Sequence, residues 1–168
     1  MTRINIVPVE KLTDQHLMAE YREIFMIGSA LQISLKSENW DPKRIPDEFT
    51  LNTGHVMFFY DKGKYLYKRY KQIQKELTKR NFKLDSTRLF KVTQSPTEYY
   101  NDWEPTKEDQ AIVWQRIEKR ILGIKKRGED RGTSQAMINR EVKFYTDQLS
   151  KLPTRVSPAP GKPKPIIK

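Results

Sequence analysis

Along the first part of the chain, apolar residues recur three, four and seven apart rather than in alternation. Leu17, Tyr21, Ile24, Leu31 and Leu35 fall on one side of a 3.6-residue helix, with Thr13 placed as its N-cap. This predicts a first helix over 13–36. Pro42 and Pro46, among residues of mixed polarity, make 37–52 a connection. A second helical run starts near Gly54 and passes through Phe58, Phe59, Leu66, Tyr70, Ile73 and Leu77 to about Arg80. Gly63 inside it costs about 1 kcal/mol against alanine and marks a place to bend. Residues 81–104 carry short apolar pieces with no sustained period and read as an ordered loop packed on the helices. Thr106 with Asp109 forms a capping-box pattern, and Ile112, Val113, Arg116, Ile117 and Ile121 continue a third helix toward Gly123, its expected stop. A basic, glycine-containing loop follows, and then Ser134 caps a last helix through Met137, Val142, Tyr145 and Leu149. From Pro153 onward prolines and lysines alternate with almost nothing to bury. The expected fold is all-α: one compact domain over 1–152, with three long helices plus a C-terminal helix, then a disordered basic tail over 153–168.

A chain of 168 residues is long enough to bury a core without staples. It has no cysteine, which excludes disulfides, thiolate zinc sites and cysteine nucleophiles. No apolar run approaches the roughly 20 residues of a membrane span, and Arg3, Asn5 and Glu10 leave no signal-peptide core. The expectation is a soluble, untargeted protein compatible with the cytoplasm. Lys and Arg number 32 against 21 acidic residues, giving a net charge of +11 and a pI near 9.7. Such an excess favours a polyanionic partner and salt-dependent binding, without choosing the nucleic acid or the chemistry.

Candidate chemistry gathers at the N-terminus. A small second residue, Thr2, permits removal of Met1 and would expose an α-amine. Its ordinary pKa near ~8 leaves much of it neutral, and so nucleophilic, at physiological pH. Downstream, His16, Glu20 and Glu23 share a helical face, with Arg22 beside Glu23. Glycosidic cleavage needs a carboxylate to stabilise a cationic sugar and move protons, and a cation to hold phosphate or leaving base. Glu23 and Arg22 can supply both. Spacing alone equally fits a solvated face, with His16 a polar first-turn residue.

Three strings add to this reading. Met1-Thr2-Arg3-Ile4-Asn5, Asp14-Gln15-His16-Leu17-Met18-Ala19-Glu20-Tyr21-Arg22-Glu23, and Gly54-His55-Val56 with Phe58-Phe59-Tyr60-Asp61-Lys62 resemble the phage pyrimidine-dimer DNA glycosylases, over roughly the first 80 residues. The resemblance implies a monomeric helical enzyme that binds lesion-containing double-stranded DNA, in the host cytoplasm if phage-encoded, without metal, cofactor or membrane. It implies a DNA glycosylase and abasic-site lyase. Thr2 would be the nucleophile that forms an imine with the sugar, Glu23 the acid that carries it through β-elimination, and Arg22 a contact to the damaged nucleotide. Arg3, Gln15 and His16 would line the same pocket; beyond the span of the resemblance, the charges of Lys125, Lys126, Arg127 and Arg131 fit DNA-backbone contacts and a solvated loop equally. His55 reads as a packing residue rather than a catalytic one. The chain departs from the family pattern at Met26, where an arginine is expected, and in lacking a tyrosine-rich C-terminal segment.

Overall fold

The computed structural model describes residues 4–51, 53–85 and 87–130, with side chains up to residue 123, and beyond these Lys143, Thr146 and Asp147. Among the described residues the chain forms four α-helices: α1 (Asp14–Leu35), α2 (His55–Phe58), α3 (Gly63–Lys79) and α4 (Lys107–Asp130). There is no strand among them beyond an isolated bridge between Lys62 and Tyr100. None of these helices is long and apolar enough to cross a membrane.

The first helix forms as its pattern predicts. The Thr13 hydroxyl accepts the His16 backbone N–H at 3.3 Å, satisfying one of the orphan donors of the first turn. Leu17, Tyr21, Ile24, Phe25 and Leu31 are then buried on one side. On α3, Leu66, Tyr70, Ile73 and Leu77 complete the facing stripe. Tyr70 stacks on Phe90 with centroids 4.5 Å apart, and Phe25 meets both rings edge-on at 5.3 and 5.6 Å. Residues 81–104 are thus an ordered, packed segment, carrying two short 3-10 turns (Lys91–Gln94 and Thr97–Tyr99) and burying Phe90, Val92 and Tyr99.

The expected second helix is corrected: it is two helices with a turn between them. Backbone of 61–64 leaves the helical path to pair with the 100–101 segment. The Asn101 N–H donates to the Asp61 carbonyl at 3.2 Å and the Lys64 N–H to the Asn101 carbonyl at 3.1 Å. Gly63 is buried there, and a Cβ on it would sit 2.9 Å from the Tyr99 carbonyl oxygen. Close approach of a distant segment, rather than helix propensity, therefore decides the break.

The third expected helix starts on its capping box: the Asp109 N–H donates to the Thr106 hydroxyl at 3.1 Å, and the Thr106 N–H to the Asp109 carboxylate at 3.0 Å. Val113, Trp114, Ile117 and Ile121 pack into the core. Its expected stop at Gly123 is overturned, since α4 continues to Asp130 and takes Lys125, Lys126 and Arg127 into helix rather than loop. A mid-helix glycine costs only about 1 kcal/mol, and the lysines and arginine after it are good helix formers. The helix expected over 134–149 lies outside the described residues, apart from Lys143, Thr146 and Asp147, which are helical. The tail over 153–168 also lies outside them.

Candidate active site

The N-terminal arm is the structural centre of the site. Ile4, Asn5, Ile6 and Val7 are consecutive and all buried, which no amphipathic surface segment could be. Burying such aliphatic side chains stabilises by about 2 kcal/mol each, and it obliges the arm's backbone to find partners inside the protein. The backbone finds them on α2 and α3, and the Asn5 side chain finds its own on α1 and α4. The Ile4 N–H donates to His55 Nε2 on α2 at 3.0 Å. The Asn5 amide donates to Glu20 on α1 at 3.0 Å and accepts from Arg116 on α4. Arg69 on α3 donates to the Val7 carbonyl at 2.6 Å.

Beneath Asn5 lies a buried ion pair. Arg69 Nε and Nη2 reach the two Glu20 carboxylate oxygens at 2.7 and 3.0 Å, the side chains being 4% and 0% exposed. Burial disfavours the Arg69 cation, but the Glu20 carboxylate outweighs this and raises its pKa above the usual range. Glu20 is therefore committed to structure: it neutralises Arg69 and orients Asn5.

Above Asn5 a cleft opens between α1 and α4. Gln15, His16, Ala19, Glu20 and Glu23 line one wall, Arg116 and Arg120 the other, and Asn5 the floor. Positions 15, 19 and 23, like 116 and 120, recur every four residues, so each wall is a single helical stripe. His16 is buried, with Nδ1 2.8 Å from the Thr13 hydroxyl. Desolvation first, then the charges of Arg120 and Arg116, lower its pKa from 6.5 to about 4. It is thus neutral at physiological pH. The smaller, coulombic part of that depression comes from Arg120 and Arg116, which face Glu23 across the cleft.

The structure brings together Gln15, His16 and Glu23 of the candidate residues. Arg22 is exposed and is not among the described lining residues. Consecutive helical residues point about 100° apart, and the Arg22 carbonyl instead accepts a long hydrogen bond (3.5 Å) from Arg88 on the outer surface. Met26, one turn on, is 52% exposed. Thr2 and Arg3 lie outside the described residues. Lys125, Lys126 and Arg127 belong to the backbone of α4, and their side chains lie outside the description. Sequence reasoning missed Asn5, Arg69, Arg116 and Arg120. Part of the signal was present. Glu20 and Arg69 each interrupt an apolar stripe, which demands an opposite charge from elsewhere, and Arg116 sits within the apolar period of α4.

The family model described as pyrimidine dimer DNA glycosylase matches residues 1–89, just over half of the chain. The matched span holds the arm, α1, α2 and α3, and so the Glu23 wall and floor of the cleft. The arginine wall on α4 lies beyond it.

Proposed function

From the premise that this chain belongs to the pyrimidine dimer DNA glycosylase family, we propose that it excises cyclobutane pyrimidine dimers from duplex DNA and then cuts the strand. In this reading Met1 is removed and the Thr2 amine is the nucleophile. The amine nitrogen attacks the sugar C1′ of the 5′ nucleotide, the C1′–N bond breaks, and the departing pyrimidine, still joined to its dimer partner, takes a proton. Ring opening leaves an imine between Thr2 and C1′, with the ring oxygen protonated. Glu23 stabilises the cationic sugar and then removes a C2′ proton, so that the C3′–O bond breaks with loss of the 3′ phosphate. Arg116 and Arg120 hold phosphate, Arg3, Gln15 and the neutral His16 make polar contacts to the nucleotide, and Arg22 contacts DNA from the outer face of α1. The protein acts as a monomer and needs no metal.

The observation that carries this reading is the docking of the arm beside Glu23. Residues 4–7 are held by all four helices, with Asn5 on the floor of the cleft that Glu23 lines. Two further residues span at most about 7 Å, so the Thr2 amine stays within that reach of the docked Ile4 nitrogen. A nucleophile whose approach is restricted in this way gains effective concentration over a free amine.

The test incubates protein of mass-verified N-terminus with ultraviolet-irradiated and with abasic duplexes, in EDTA and borohydride, which reduces an imine to a permanent link. A trapped adduct and nicking on irradiated DNA, both lost in Glu23→Gln while DNA binding survives, is the expected result. An adduct on abasic DNA alone would transfer the activity to another lesion or to lyase action only. No adduct on either duplex overturns the catalytic reading.

A further inference from the structure

We infer that His55 is a positioning residue for the N-terminal amine: by accepting the Ile4 N–H it fixes the direction in which the last residues of the arm leave the protein. The inference rests on the reading above, in which that amine is the nucleophile. His55 lies outside the cleft and touches no reacting atom. Its geometry is nevertheless more constrained than packing requires.

His55 Nδ1 lies 2.6 Å from the Thr50 carbonyl oxygen, which can only accept, so Nδ1 carries the ring proton. Nε2 is then left with its lone pair, and the Ile4 N–H donates to it at 3.0 Å. The tautomer is set by one bond and used by the other. Orientation is fixed as well: the ring is 1% exposed and wedged edge-on between Phe49 and Phe59, with centroids 5.5 and 5.3 Å away. Its backbone is rooted just after Gly54, whose φ of 99° belongs to the left-handed region and whose missing Cβ leaves room for Pro46. A locked acceptor thus stands at the last described position before the arm's end.

Ile4 is two residues from the amine. Glu20 and Arg116 hold the side chain of Asn5 and the core holds that of Ile4, but side-chain anchors alone leave the Ile4 peptide plane room to rotate. The bond to the Ile4 N–H removes that freedom. Losing it leaves a buried N–H without its acceptor and releases the arm, and misplacing a reacting atom by about 1 Å can cost on the order of a hundredfold in rate.

The experiment measures borohydride trapping on an abasic duplex, single-turnover and at saturating DNA, for wild type, His55→Leu, His55→Gln and Phe49→Leu, with Kd by anisotropy and Tm for each. His55→Leu keeps bulk but offers no acceptor; His55→Gln offers a carbonyl oxygen near the Nε2 position; Phe49→Leu loosens the same pocket and leaves the imidazole acceptor in place. The expected result is trapping slowed about tenfold or more in His55→Leu at nearly unchanged Kd, largely restored in His55→Gln, and little changed in Phe49→Leu despite a lower Tm. Wild-type trapping in His55→Leu overturns the inference and leaves the imine reading standing, as does equal slowing in Phe49→Leu at a matched Tm loss. If His55→Leu fails to fold, His55→Phe, which keeps a ring but offers no acceptor, takes its place: slower trapping than in His55→Gln at equal Tm supports the role, and equal rates overturn it. Absence of any wild-type adduct overturns the imine reading itself, and the inference with it.

Discussion

The two sides of the N-terminal arm are built on opposite electrostatic terms. Toward α2 and α3 the arm meets His55 and Arg69, both buried and both matched: His55 is a donor to Thr50 and an acceptor from Ile4, and Arg69 divides its donors between Glu20 and Val7. Toward α1 and α4 it meets a cleft in which burial first, and then the charges of Arg120 and Arg116, keep His16 neutral. Two glutamates three residues apart on α1 show the same division. Glu20 is buried against Arg69, whereas Glu23 is half-buried on the cleft wall. The lesson is that position relative to the arm, more than residue type, assigns a carboxylate to a buried ion pair or to the cleft wall.

The sharpest way to break the structural side is Arg69→Met. It strands the buried Glu20 carboxylate and removes the donor to the Val7 carbonyl, and breaking such a pair costs about 3–5 kcal/mol. Urea unfolding should show this loss, and Arg69→Met with Glu20→Leu should recover most of it, because an apolar pair leaves no buried charge. A double variant no more stable than Arg69→Met would mean that the ion pair is not what holds the arm.

On the cleft side, pH separates the two regions next. His16 has a folded pKa of about 4 against 6.5 in the unfolded chain, so the unfolded state takes up its proton first as pH falls. The stability this neutral ring contributes is fully present above pH 6.5, is lost between 6.5 and 4, and changes no further below that. The loss amounts to roughly 3 kcal/mol at most. Unfolding midpoints measured across this window should fall more steeply for wild type than for His16→Gln; parallel curves would remove His16 as the cause.

The smallest effect expected is that of Arg120→Gln. Losing one phosphate contact should lower the slope of log affinity against log salt by about one, and removing its charge should raise the His16 pKa, readable by NMR titration. An unchanged salt slope together with a raised His16 pKa would keep Arg120 in the cleft's field but off the DNA.

Much of this was legible in the chain. The start of α1 at Thr13 and of α4 at Thr106 follow from local capping chemistry, and the shared face of His16, Glu20 and Glu23 follows from helical spacing. The break between α2 and α3 was not, because nothing near Gly63 announces that residues 99–101 will press against it. Nor did local pattern foretell that Gly123 would stay helical, since a glycine stops a helix only where the chain turns away and α4 does not. Arg22 was grouped with Glu23 because they are neighbours in sequence, and helical rotation sends them to different surfaces.

The sequence by itself determined where α1 and α4 begin, the basic excess, the lack of thiol chemistry, and the presence of a small second residue, since these depend on composition and on contacts within a few residues. Only the tertiary structure decided which charges are spent and which are kept for the cleft. Whether Glu20 meets Arg69, whether Arg116 reaches Asn5, and whether His55 takes the Ile4 N–H are pairings across 49, 111 and 51 residues. Such pairings follow from how the helices pack around the buried arm, which no local pattern encodes.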